Sequence, residues 1–303
     1  MSDLTPVAIL ALAAVGAVGV ACLETLVAGL RPAPIGATRQ ALAGLREPIS
    51  HPRTYDSWLF HLAPGLLLVA ALSALAMVPW APGFRGIELE TGAILFPAAL
   101  AYVTPAVFMA GWGGGSPLAV IGGFRFIALM LGYAMPIAMV ATAVAAPVGS
   151  LRPAAIVDLQ GTTVPMALAQ PYSLALWVPA VMAVALLPPF DVATARGELG
   201  GGAFERYTGL EAALIALARR VLLLAVAGMT AALFLSGWHG PWLPDWLWMA
   251  VKTAAVATLM LYAGRRMPRL EIERLLTLAW KVAVPGAIAA IVLAGGTTLL
   301  FYV

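Results

Sequence analysis

Long apolar runs separated by short polar segments dominate the chain, and their continuity says more than their period. From Leu159 to Phe190 there is not one Asp, Glu, Lys or Arg. Uncharged runs that approach or exceed ~18 residues read as helices crossing a lipid bilayer. The pattern predicts about eight such helices, near 6–30, 57–80, 91–113, 121–148, 171–190, 217–238, 243–264 and 275–302. The expected fold is therefore all-α, a polytopic membrane protein with one integral membrane domain over residues 1–303. An even number of spans places both termini on the same side. The opening MSDLTPVAIL begins with an acidic residue, and the apolar run after it exceeds a signal-peptide core of roughly 7–15 residues. It is expected to remain as the first span.

Composition agrees: of 303 residues 62% are hydrophobic and 10% charged, against roughly 25% charged in a soluble domain. Charge then orients the spans. Loops 31–56, 191–216 and 265–274, with Arg219 and Arg220 beside them, hold twelve of the 17 Lys and Arg residues, whereas the opposite side holds Arg85 and Arg152. The positive-inside rule makes the three basic loops cytoplasmic and both termini outward-facing. The net charge of +3 is thus a topology signal and not a nucleic-acid surface. Cys22 is the only cysteine, and the histidines are His51, His61 and His239. A cluster of iron and sulfur, or a Cys-rich zinc site, has too few ligands within this chain.

The loop after the fifth span, PPFDVATARGELGGGAFERYTG, gathers charge after a long uncharged stretch. Pro188 and Pro189 stop the preceding helix. Asp191 is the expected N-cap of a short segment ending at Gly200–Gly202. Thr208 and Glu211 have the spacing of a capping box for the next helix. Local structure does not account for Glu198, Glu205 and Arg206 around the triple glycine. Within the spans, Lys252 is expected about ten residues, or ~15 Å, from either helix end, too deep to snorkel. Such a group serves an ion pathway or pairs with a carboxylate on another helix or chain. Glu24, His61, Arg125 and Lys281 enter from the cytoplasmic side to similar depths, and together predict a polar chamber beneath that surface.

Several of these stretches, in order, resemble subunit 1 of respiratory complex I (the bacterial H-type subunit) and its relatives in formate hydrogenlyase and energy-converting hydrogenases. PFDVATARGEL…GGGAFERYTG resembles the signature PFD-x-x-E-A-E-x-E-L…E-Y-S-G loop, and AGWGGGSPLAVIGGFRFIALMLGYAMP resembles the A-G-W…R…Q-M-x-S-Y-E segment. RRMPRLEIERLLTLAWKVAVP is similar to the P-R-x-R-x-D-Q…W-K-x-x-x-P ending, RPAPIGATRQALAGLREPI with LFHLAP looks like the first cytoplasmic loop, and Lys252 falls where the family has a Lys in its penultimate span. Glu24, Arg125, Asp191, Glu198, Lys252, Arg269, Glu273, Trp280 and Lys281 match family positions. The departures run one way: Leu129, Gly132 and Ala134 replace polar Gln, Ser and Glu, while Thr194, Arg196 and Arg206 replace acidic residues.

The resemblance implies a membrane subunit, without chemistry of its own, that docks a soluble electron-transfer arm and links it to H⁺ or Na⁺ translocation in a prokaryotic cell membrane. The lost carboxylates favour the hydrogenase and formate hydrogenlyase branch. The alternatives are a quinone-site subunit of a proton-pumping NADH-quinone oxidoreductase, a stand-alone secondary transporter, and a structural anchor whose ion pathway has decayed. Glu24, His61, Arg125, Asp191, Glu198, Lys252 and Lys281 are the expected ion-coupling set. Arg46, Glu47, Arg196, Glu205, Arg206, Arg269 and Glu273 are the expected docking set. No cofactor or metal is expected in this chain, with iron–sulfur clusters and a nickel–iron centre in partners. Those partners are an iron–sulfur subunit, a hydrogenase-large-subunit-like protein and antiporter-like membrane subunits, with the lipid bilayer around them and no nucleic acid.

Overall fold

The computed structural model describes residues 6–28, 55–83 and 87–301, with the side chains of 196, 197 and 299–301 excepted. The described residues are helical: α1 (Pro6–Val27), α2 (Ser57–Ala76), α3 (Gly92–Ala101), α4 (Val103–Gly113), α5 (Pro117–Ala145), α6 (Pro153–Thr162), α7 (Met166–Ala169), α8 (Pro171–Val184), α9 (Arg196–Leu199), α10 (Gly209–Phe234), α11 (Asp245–Arg266), α12 (Ile272–Leu278) and α13 (Val284–Phe301). Among them seven helical stretches are long and apolar enough to cross a membrane, and α8 is a shorter apolar helix. At 14 residues α8 spans only ~21 Å, less than the ~30 Å of a bilayer core. It stops at Val184 and not at 190 because the chain turns at Leu186, whose φ is +56°, ahead of the two prolines. Conversely, α10 starts at Gly209, eight residues before the expected 217, since hydropathy alone discounts a first half carrying Glu211, Arg219 and Arg220. The predicted span at 91–113 breaks at Tyr102 into α3 and α4.

α10 is the central helix. From Val221 to Phe234 every residue is buried, as expected for a helix apolar on all faces. It packs on α2, α1 and α11, while α5 packs on α4, α8 and α13. Between α12 and α13 the helix widens into a π segment, Ala279–Ala283. Pro285 follows and has no N–H to offer the preceding turn, so the ladder is interrupted there. Gly132 of α5 faces this segment, and a Cβ on it would lie 2.6 Å from that of Ala279.

Two ends of the bundle differ in composition. One gathers the end of α1, the starts of α2, α5 and α10, the 185–208 loop, the end of α11 and α12. It carries Arg125, Arg206, Arg219, Arg220, Arg265, Arg266, Arg269 and Arg274, and we call it the basic end. The opposite end holds α6 and α7, which the hydropathy pattern passes over, and the α10–α11 connection. There the buried Gln160 joins three segments: its Nε2 donates to the carbonyls of Ile156, Ala232 and Leu233, and its Oε1 accepts from the N–H groups of Met166 and Ser236. An amide with every bond satisfied ties backbone together where water is scarce.

Candidate functional site

The loop after α8 builds the basic end. Arg219 donates to the carbonyl of Leu186 at 3.0 Å, tying the turn to α10. Beyond it, Gly200, Gly201 and Gly202 have φ of +63°, +140° and +59°, values that L side chains rarely adopt. A Cβ on Gly202 would lie 1.9 Å from the Ala193 carbonyl oxygen, to which Ala203 N–H donates at 3.0 Å. The triple glycine therefore closes the loop back on residue 193, and the closed loop carries Asp191 and Glu198 to the lining of one cavity. Asp191 does not cap α9, whose N-cap is Ala195 without a side-chain bond. Its carboxylate, 8% exposed, instead meets Arg269 at 3.0 Å. Glu198 meets Arg125 of α5 at 2.6 Å. A charge brought so near an opposite charge offsets its loss of hydration, which a capping bond to one N–H would not do for Asp191.

These two pairs line a cavity of about 360 Å³ between α5, the loop and α12, together with Glu271 and Glu273. Five residues singled out from sequence, Arg125, Asp191, Glu198, Arg269 and Glu273, thus meet in one place. Glu24 and His61 do not join them. Glu24 pairs with Arg220 at 3.3 Å, and its backbone carbonyl accepts from Arg265 at 2.9 Å, between α1, α10 and α11. His61 Nδ1 lies 2.5 Å from Glu211 Oε1, between α2 and α10. The expected single chamber is thus three separate charged sites on one end of the bundle, two of them held by residues of α10.

Beside His61, the Tyr207 ring stacks on Phe60 with centroids 4.2 Å apart, and its hydroxyl donates to the Phe60 carbonyl at 3.0 Å. Burial, and secondarily the Glu211 charge, push the Tyr207 phenol well above the ordinary tyrosine value. Thr208 does occupy the N-cap of α10, yet no side-chain cap bond forms there. The capping-box expectation fails because Glu211 is drawn to the imidazole across the helix interface, a charge-assisted contact stronger than a bond to one exposed N–H.

Lys281 lies in the π segment with its side chain exposed and has no ion pair among the described residues. It does not enter the cavity, since the extra residue of the π turn rotates it outward. Glu205, Arg206 and Glu273 are exposed. Arg46 and Glu47 lie outside the described residues. Arg196 opens α9, and its side chain also lies outside them.

Lys252 is at the opposite end. α11 begins at Asp245, so Lys252 is seven residues, or ~10 Å, from the helix start and not midway. Its ammonium reaches back to donate to the carbonyls of Leu235 at 2.6 Å and His239 at 2.7 Å. These carbonyls, one at the C-cap of α10 and one in the connection that follows it, take the place of the expected carboxylate, and a cation at the helix end is favoured by the helix dipole. His239 Nε2 stands 3.7 Å from Asp158 beside it.

The residues missed from sequence are Glu211, Arg220, Arg265 and Tyr207. Glu211 and the arginines carry local explanations, a cap and a topology signal, that conceal their tertiary partners. Only the spacing of Arg220 one turn inside a span marked it out. Among the described residues no three His, Cys, Asp or Glu side chains lie close enough to hold a metal ion. What the basic end offers chemically is a set of paired charges between helices.

An all-helical membrane bundle with a glycine-closed loop pairing to α5 and α12 defines the class of protein. The NADH dehydrogenase family model matches residues 43–295, and the chain belongs to that family, which includes subunit 1 of complex I, known in bacteria as the H-type subunit. It is 30% identical to an H-type subunit (copy 1) of the NADH-quinone oxidoreductase of Geobacter metallireducens over 287 residues, covering 88% of this chain and 86% of that one. It is 32% identical to the H-type subunit of the NADH-quinone oxidoreductase of Geobacillus kaustophilus over 255 residues, covering 83% and 76%. A chain in the structure of the membrane-bound sulfane sulfur reductase, an archaeal respiratory membrane complex, superposes with a TM-score of 0.83 at 20% identity, covering 95% of this chain and 97% of that one. That likeness establishes the fold.

Proposed function

We propose that this chain is the membrane-anchoring and energy-coupling subunit of a complex-I-like oxidoreductase of the membrane-bound nickel–iron hydrogenase or formate hydrogenlyase type. The observation that carries the reading is the pair of contacts Arg125–Glu198 and Asp191–Arg269, which tie the glycine-closed loop to α5 and α12 around one cavity. A soluble arm bound over this loop would act directly on helices that cross the membrane. In this reading the basic end is cytoplasmic, both termini face outward, and the setting is a prokaryotic cell membrane. Arg46, Glu47, Arg196, Glu205, Arg206, Arg269 and Glu273 dock an iron–sulfur subunit. Glu24, His61, Arg125, Asp191, Glu198, Lys252 and Lys281 serve ion coupling toward antiporter-like subunits. The metal centres belong to partner chains.

The hydrogenase branch is favoured over quinone reduction by α5. Leu129 is fully buried, and the space beside Gly132 is filled by the approach of Ala279, so those two positions offer no polar group to a quinone head. The second reading, a quinone-site subunit, is supported by the names of the relatives at 30–32% identity. Purification in mild detergent separates the two. Co-elution with iron–sulfur and nickel-containing subunits, with activity unaffected by quinone-site inhibitors, is the expected result. Potent inhibition by such a compound would overturn the hydrogenase assignment.

A further inference from the structure

Two carboxylates are buried among the described residues, Asp191 at 6% and Glu211 at 9% exposure. Asp191 faces the guanidinium of Arg269, which does not release a proton in any ordinary pH range. Glu211 faces His61, the side chain type that exchanges protons near neutrality. The half-exposed Glu24 and the exposed Glu198 also face arginines. At this end of the bundle, then, one ion pair alone among those described joins two partners that can each gain and lose a proton. Its geometry is graded: the imidazole is 46% exposed and the carboxylate 11%. His61 borders an open cavity of about 370 Å³ with Ser57, Trp58 and Leu62, while Glu211 lies inside the first turn of α10. Facing the pair are the Tyr55 ring, edge-on to the imidazole at 6.1 Å, and Tyr207, which senses the Glu211 charge. Asp56, at the start of α2, is occupied in capping Trp58 and Leu59 N–H.

We infer that His61 and Glu211 form a proton relay from the open cavity into the base of α10, an inference that rests on the ion-translocating reading above. With Nδ1–H donating to the ionised Glu211, Nε2 on the far side of the ring takes a proton from hydronium in the cavity, which is left as water. The Nδ1 proton passes to Glu211 Oε1, leaving a neutral imidazole with Nε2–H and a neutral carboxyl. One proton is taken up, and the N–H bond broken at Nδ1 is matched by the O–H bond formed.

The deciding variant is His61→Arg, which preserves an ion pair with Glu211 while removing the exchangeable proton. Protons moved per electron are measured for the intact complex in proteoliposomes, for His61→Arg, His61→Gln and Glu211→Gln. The relay requires loss of translocation in all three. Wild-type translocation in His61→Arg would reduce the pair to a structural contact and overturn the proposal. A second readout covers variants that fail to assemble and a wild-type complex that moves no ions: infrared titration of the purified wild-type complex between about pH 5 and 8. A protonated-carboxyl band that appears in this window and is absent from Glu211→Gln or, if that variant does not assemble, shifts on isotopic labelling of glutamate supports the relay. Its absence overturns the relay. Ion movement absent from the wild type would instead defeat the broader reading of function.

Discussion

The basic end and the opposite end hold their helices together by different means. At the basic end side chain meets side chain: Asp191–Arg269, Glu198–Arg125, Glu24–Arg220 and His61–Glu211 each join separate segments. At the opposite end the buried ties run from side chain to backbone, with the exposed Arg152–Glu90 and His239–Asp158 pairs outside them: Gln160 bonds five main-chain groups, Gln170 reaches the Ala143 carbonyl, and Lys252 holds the end of α10. A neutral amide buried on main-chain partners is insensitive to salt and strands several groups if removed. Of the pairs at the basic end, the more exposed Glu198–Arg125 and Glu24–Arg220 contribute little, about 0–1 kcal/mol each. The opposite end is thus built to stay fixed, and the basic end to respond to an arriving charge.

Gln160→Leu tests the fixed end most severely. It leaves the Met166 and Ser236 N–H groups without their acceptor, at about 1–3 kcal/mol each, and should lower the unfolding midpoint in detergent more than any change below. A loss under about 1 kcal/mol would mean that the backbone there finds other partners and that the contrast between the ends is overstated. Gly202→Val comes next. Its left-handed φ costs about 1–3 kcal/mol in a branched residue, and the Ala193 carbonyl must move. The expected result is faster proteolysis within 191–206 and a weakened hold on soluble partners, while the apolar bundle remains folded.

Lys252→Met removes two charge-assisted hydrogen bonds, about 1.5–3 kcal/mol each before a discount for its half-exposed position. The fixed-end reading expects a lower melting temperature together with faster hydrogen exchange around residues 235–240. Ion coupling through Lys252 expects translocation to fall as well, and an unchanged melting temperature with lost translocation would make coupling its principal role. The smallest effect concerns alkaline pH. Tyr207 keeps its proton in the folded chain after the unfolded chain releases it near the ordinary value of about 10. The unfolded state then binds fewer protons, so stability falls as pH rises past that value. Tyr207→Phe should flatten this alkaline decline while losing about 0.5–1.5 kcal/mol from the bond to Phe60. The decline itself is read by tyrosinate absorbance alongside unfolding.

Much of the architecture is legible because hydropathy is additive along the chain. The run in α1 and the concentration of arginine at one end require no knowledge of neighbours. α6 escapes notice because it is short and flanked by polar residues, and its place depends on Gln160 meeting the end of α10. The π segment at 279–283 depends on Pro285 together with the close approach of α5, so the outward turn of Lys281 could not be anticipated.

Sequence by itself determined that this is a helical membrane protein, which end of it is basic, and which family it belongs to. Pairing was decided only in three dimensions. Asp191 and Glu211 sit where local rules ask for helix caps, yet a carboxylate buried between helices gains more from a cation than from one backbone N–H, and the cation lies 78 residues away for Asp191 and 150 for Glu211. Lys252 likewise finds two carbonyls in place of a carboxylate because α11 starts late and folds back on the end of α10. Propensity and hydropathy are properties of neighbours in sequence, whereas the partner of a buried charge is set by which helices pack together.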